Sequence, residues 1–132
     1  MDKNIKEFVC RNSINYISLD SLGIDRDAVG KEAAISIISF LREEITPVLG
    51  IDVYILNNNV VKFPLVYNNW YSLRLPNESM SEYAQRTCQE AISFLRGYES
   101  NEGLPIFDIY SYNYQTHYDQ GVGSRDHCDN KG

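Results

Sequence analysis

This 132-residue sequence has few of the features that mark membrane proteins or disulfide-stapled secreted proteins. No apolar run approaches the roughly 20 residues that span a bilayer, and the N-terminus has no apolar signal core. The cysteines number three, and none belongs to a Cys-x-x-Cys pair, so we expect no disulfide framework and a reducing compartment. Together these absences predict a cytoplasmic protein.

Sequence signals for catalysis and for metal binding are also weak. Gly121-Val122-Gly123 has no strand before it and no helix after it, so it is not a phosphate loop. Cys88 lies on the apolar stripe of a predicted helix, which is typical of a core residue and not of a thiol nucleophile. A zinc site would require the C-terminal residues to fold around the ion. Its ligands would be His117, Asp119, His127 and Cys128. We therefore expect no metal, no cofactor and no catalytic residue.

The charge balance narrows the class of partner. The formal net charge is -6, which disfavours nucleic acid and anionic membrane as partners. An acidic surface suits a basic protein partner, although solubility alone is an equally good reason for it. The ten tyrosines favour the partner interpretation, because tyrosine is enriched at protein interfaces.

Hydrophobic periodicity predicts an α+β fold in which a small antiparallel sheet packs with two main amphipathic helices. The helices span about residues 30–44 and 80–98, and Ser79 with Glu82 gives the second helix a capping box. The spacing of Ile5, Phe8 and Val9 also fits a short helix. Strands are predicted at residues 48–56, 60–66 and 104–110, with a strand or a wide loop at 67–75.

These elements form one predicted α+β domain over residues 1–110. Residues 111–132 are dominated by Ser, Asn, Gln, Asp and Gly, so we expect a polar, flexible C-terminal tail.

The aromatic and Asn-rich residues 50–71 are the most informative stretch. Because side chains alternate along a strand, Asp52 and Tyr54 point away from Val53 and Ile55. If Val53 and Ile55 face the helices, Asp52 and Tyr54 face solvent or a partner. Acids at the start of the second helix would add electrostatic support, or would simply stabilise that helix. The candidate partner-binding residues are Asp52, Tyr54, Asn69, Trp70, Tyr71, Glu78, Glu82 and Glu90.

Two short motifs in this stretch resemble a known family. Gly50-Ile51-Asp52-Val53-Tyr54 is followed by Tyr67-Asn68-Asn69-Trp70-Tyr71. In this order the motifs are similar to bacterial immunity proteins of polymorphic toxin and contact-dependent growth inhibition systems, in particular the family numbered forty. The resemblance covers about residues 22–109. It implies a non-enzymatic protein that binds and neutralises a cognate toxin domain by blocking its active site or substrate surface. A basic nuclease is the toxin class that fits the acidic charge.

Two other functions stay open at this point. The Trp70 region could serve a small-ligand-binding or scaffolding domain as a stacking platform. A small carboxylate-dependent enzyme could use Asp52 with Glu82 or Glu90, which requires a shared concave pocket.

Overall fold

The computed structural model describes residues 1–113. The predictions for the tail beyond Asn113, including the candidate zinc ligands, therefore lie outside the described residues. The elements in chain order are α1 (Lys3–Arg11), β1 (Ile17–Ser18), a short 3-10 helix (Asp20–Leu22), β2 (Asp27–Ala28), α2 (Lys31–Glu43), β3 (Val48–Asn57), β4 (Val60–Lys62), β5 (Trp70–Tyr71), α3 (Met80–Gly97) and β6 (Leu104–Ser111). This arrangement confirms the predicted α+β class.

The long strand β3 is the centre of the sheet. β6 pairs with it antiparallel along almost its whole length, with Asp52 opposite Asp108. The other edge of β3 is shared by β4, near Ile55, and by β5, near Gly50. A register shift between Val48 and Gly50 marks a bulge at the start of β3.

One face of this sheet forms the main core with the helices. Alternation along β3 and β6 directs Ile51, Val53, Phe107 and Ile109 toward α2 and α3, and all four side chains are buried. The helix stripes predicted from the sequence supply the opposing layer. Their buried members include Ala34, Ile37, Ile38, Leu41, Cys88, Ala91 and Leu95. Burial of a large aliphatic side chain contributes about 1.5–3 kcal/mol, so this side carries most of the stability.

The opposite face is half covered. Residues 17–28 lie over the part of this face that carries Tyr54 and Ile106, and Leu19 and Ala28 pack on these two side chains. Tyr54 is only 5% exposed, so the expectation that it faces solvent or a partner is wrong. Periodicity along a strand does not show what packs against its second face, and here residues 17–28 cover it.

The element boundaries follow local chemistry. The capping box is confirmed: the Glu82 N–H donates to Ser79 Oγ at 3.0 Å, and the Ser79 N–H donates to Glu82 Oε1 at 2.8 Å. The strand predicted at residues 60–66 ends at Lys62, because the approaching Pro64 has no N–H for a ladder. The short N-terminal helix is confirmed as α1.

Candidate partner-binding surface

The β4–β5 edge of the sheet carries an unusual concentration of exposed apolar side chains. In residues 1–113 ten large hydrophobic side chains are exposed, and eight of them fall within residues 60–75. Leu65 is 85% exposed and Leu73 is 83% exposed. We call this set the apolar edge. Its members are Val60, Phe63, Leu65, Val66, Tyr67, Tyr71, Leu73 and Leu75.

The apolar edge follows β3 from one end to the other. Val60 pairs with Asn57, and the Ser72 N–H donates to the Leu49 carbonyl at 3.0 Å. Between β4 and β5 the Asn69 side chain completes the ladder, since its Oδ1 accepts from the Val53 N–H at 2.8 Å. Asn69 therefore has a structural role in addition to its place at the candidate surface.

Polar contacts, not apolar burial, position the two loops of this edge. The Leu65 N–H donates to Glu102 Oε1 at 3.0 Å. At the other end, the Leu75 N–H donates to Glu78 Oε1 at 2.9 Å, and Arg86 Nε donates to Glu78 Oε2 at 2.7 Å. The apolar side chains are consequently presented to solvent on a backbone that is held in place.

Asp52 lies beside this edge on the open part of the sheet face. The Tyr71 hydroxyl donates to Asp52 Oδ1. Gly50 makes the approach possible, because a Cβ at that position would overlap the Tyr71 ring. Desolvation, and then the hydrogen bond to Asp52, raise the pKa of Tyr71 above its ordinary value. Tyr110, opposite Gly50 on β6, has its pKa raised by burial and by the negative charge of Asp108. Asp52, Tyr71 and Tyr110 form what we call the Asp52 cluster.

An ion pair between the half-buried Arg26 and the buried Asp108 lies beside this cluster. Arg26 Nε donates to Asp108 Oδ2 at 2.5 Å and Arg26 Nη2 donates to Asp108 Oδ1 at 3.0 Å. The guanidinium also lies 3.9 Å from the centre of the Tyr110 ring and contacts Asp2. Burial lowers the pKa of Arg26, but the hydrogen bonds and charge of Asp108 outweigh it and raise that pKa overall. The sequence interpretation missed this pair. Its available signal was a lone acid inside an apolar strand.

The structure brings together some of the predicted residues and separates others. Asp52, Asn69 and Tyr71 are neighbours. Trp70 points to the helix side, where it is half-buried and its ring centre lies 6.3 Å from that of Phe94. Glu78, Glu82 and Glu90 belong to α3 or its N-terminal approach, and α3 packs on the face of the sheet opposite Asp52.

The cysteines give a mixed outcome. Cys88 is buried and free as predicted for a core residue, and burial raises the pKa of its thiol to about 11. Cys10 is disulfide-bonded, which the prediction of no disulfide framework did not anticipate. Within residues 1–113 no three His, Cys, Asp or Glu side chains are grouped to hold a metal ion. No helix in this range is long and apolar enough to cross a membrane.

The described residues form a small α+β protein with an exposed apolar edge beside an acid and two tyrosines. A family model described as Immunity protein 40 matches residues 18–112, more than two thirds of the chain. The chain belongs to this immunity protein family, and the resemblance noted from the sequence is confirmed. No curated protein matches it significantly. Likewise, no solved structure gives a significant match.

Proposed function

We propose that this immunity protein neutralises a cognate bacterial toxin domain by binding it directly through the apolar edge. The observation that carries the proposal is the placement of eight exposed hydrophobic side chains along one edge of the sheet. A concentration of exposed apolar side chains in one region of a soluble protein is typical of an interaction site. Interfaces combine such an apolar centre with a polar rim, which Asn68, Arg74 and Asn77 supply here.

The charge of the chain indicates the kind of toxin. With a formal net charge of -6, the protein would attract a basic domain and repel an acidic one. Many nucleases are basic because they bind phosphate backbones, so a basic nuclease is the proposed partner. The immunity protein would cover its active site or its substrate surface, in the cytoplasm, where nucleic acid substrates are found.

A catalytic role is not needed for this function. The enzyme alternative required Asp52 to share a pocket with Glu82 or Glu90, whereas the sheet lies between Asp52 and α3. Glu82 is also engaged in the capping box. The stacking-platform alternative is weakened as well, because the Trp70 ring packs with Phe94 toward the core.

The test is co-purification with the toxin domain encoded directly upstream of the gene, combined with rescue of cells that express the toxin. We expect a one-to-one complex and full rescue by the wild-type protein. A variant carrying Leu65→Ser and Leu73→Ser should bind about 10-fold more weakly or worse, since buried interface side chains commonly contribute more than 1 kcal/mol each.

The matched control is Leu104→Ser. Leu104 is also exposed, but it lies at the start of β6, on the opposite side of β3 from β4 and outside the set of residues that defines the apolar edge. This variant should bind like the wild type. Equal binding by the double variant and the control would refute the apolar edge as the interface, and absence of any complex with the wild type would refute the function.

A further inference from the structure

We propose that Asp52 is the anchor for a basic side chain of the toxin, an arginine or a lysine whose charge is received by the Asp52 carboxylate beside the Tyr71 ring. The inference rests on the proposed function and names the group on the partner that this surface recognises. It gives Asp52 a specific contact with the toxin. Most of the other seventeen acidic residues would contribute only to the long-range electrostatic attraction between the two proteins.

The first observation is a charge imbalance across two strands. Asp52 and Asp108 are direct cross-strand partners on the same face of the sheet. Like charges at opposite positions destabilise a strand pair. Arg26 compensates Asp108 through two hydrogen bonds, and it also contacts Asp2. Within residues 1–113 no salt bridge engages Asp52, so its carboxylate has no cationic partner in the free protein.

The second observation is that the helix acids are already engaged. Glu78 pairs with Arg86 at 2.7 Å, and Glu90 pairs with the same arginine at 3.2 Å. Glu82 closes the capping box of α3. These three acids were predicted as electrostatic support. A new cation would have to compete with their present partners, whereas at Asp52 it would relieve a repulsion.

The third observation is the surroundings of the carboxylate. Asp52 is half-buried, accepts a hydrogen bond from the Tyr71 hydroxyl, and has an aromatic ring on each neighbouring strand. Aromatic faces attract cations, as Arg26 already demonstrates above Tyr110 at 3.9 Å. Tyr71 remains 57% exposed, so one ring is still available to a partner.

The position of Tyr71 links the anchor to the interface. Tyr71 belongs both to the Asp52 cluster and to the apolar edge. A bound partner would therefore surround the ion pair with apolar side chains and exclude water from it. Charge pairs in such desolvated surroundings are the ones that contribute strongly to affinity.

The experiment compares Asp52→Asn with Glu32→Gln in binding to the toxin domain encoded upstream, at several salt concentrations. Each variant removes one negative charge. Asparagine still accepts the Tyr71 hydrogen bond, and Glu32 is exposed on α2 on the helix side of the sheet. We expect Asp52→Asn to weaken binding by about 30-fold or more and to reduce its salt dependence. Glu32→Gln should change the affinity by less than about 3-fold.

Thermal unfolding of the free proteins distinguishes an anchor from a structural residue. If Asp52 serves binding and its charge is repelled by Asp108, removal of that charge does not destabilise the free protein. Asp52→Asn should then unfold at the same temperature as the wild type or higher. The anchor is overturned if Asp52→Asn binds like Glu32→Gln, or if its weaker binding is matched by loss of the folded state. Either result leaves the proposed function standing when the wild type still forms the complex. Failure of the wild type to bind the toxin domain overturns both.

Discussion

The helix side of the sheet and the apolar edge are built on different principles. On the helix side, side chains such as Ile38, Leu41 and Phe107 are fully buried, and packing alone determines their positions. At the apolar edge the hydrophobic side chains face solvent, and the backbone is held by N–H groups that donate to side-chain oxygens of Asn69, Glu78 and Glu102. Under the proposed function, stability and recognition would be carried by different residues, and the edge could vary without loss of the fold.

The N-terminal residues that precede the family match also belong to the folded unit. The family match begins at residue 18, yet Ile5 and Val9 of α1 lie in the main core with 1% and 0% exposure. Asp2 accepts hydrogen bonds from the N–H and the hydroxyl of Ser111 at the end of β6. In this chain the folded unit thus extends beyond the matched residues, and α1 is part of it.

The largest expected effect separates packing from exposure. Phe107→Ala should lower the free energy of unfolding by about 3–5 kcal/mol, because it leaves a cavity between the sheet and the helices. Leu65→Ala at the apolar edge should change it by no more than about 0.5 kcal/mol. Urea unfolding of both variants measures the difference. Similar losses in the two variants would show that the edge also carries the fold.

The next effect concerns the ion pair that joins the N-terminal segment to β6. Arg26→Met leaves the buried Asp108 carboxylate without its cation, and we expect a loss of about 3 kcal/mol at neutral pH. Burial already raises the pKa of Asp108, and loss of Arg26 would raise it further. A raised pKa in the folded state means that stability is greatest below the unfolded pKa and falls as pH rises through the folded one.

The deficit of Arg26→Met should accordingly be largest at neutral pH and should shrink as the pH is lowered and Asp108 becomes protonated. Arg96→Met is the matched control, since Arg96 is exposed near the end of α3. The control should lose little stability at any pH. A pH-independent deficit would contradict a role for the unpaired carboxylate and would point to lost packing of the Arg26 side chain.

The sequence was sufficient to predict the elements with strong periodicity. It was not sufficient to predict burial or pairing that depends on residues distant in sequence. The apolar stripes and the Ser79–Glu82 box were sufficient for α2 and α3, because both signals are local. Tyr54 was predicted to be exposed but is buried, because residues 17–28, which are distant in sequence, cover it. Arg26 and Asp108 are separated by 82 positions, so only the fold reveals that they pair. At the surface, strand alternation was enough to place Asp52 away from the helices.

The smallest predicted effect tests whether local hydrogen bonds hold the apolar edge. Hydrogen bonds from Arg86 are the main cause that lowers the pKa of Glu78 from 4.5 to about 2. A lowered pKa contributes stability that is present above the unfolded value and is lost as the pH falls between 4.5 and 2. Glu78→Gln should therefore unfold about 2 °C below the wild type at pH 7, with the difference vanishing toward pH 2.

Affinity for the toxin domain is a second measurement on the Glu78 variant, because the loop that Glu78 holds carries Leu73 and Leu75. Glu78→Gln keeps an acceptor for the Leu75 N–H but loses the charge that holds Arg86, whose Nη2 donates to the Leu73 carbonyl. It should therefore weaken binding to the toxin domain by a few-fold, through faster dissociation from a less ordered loop. The matched control is Glu90→Gln, which loses one exposed contact to the same arginine but none to the loop backbone. A difference in unfolding temperature that persists unchanged to pH 2, or equal binding by the two variants, would mean that the edge keeps its shape without Glu78.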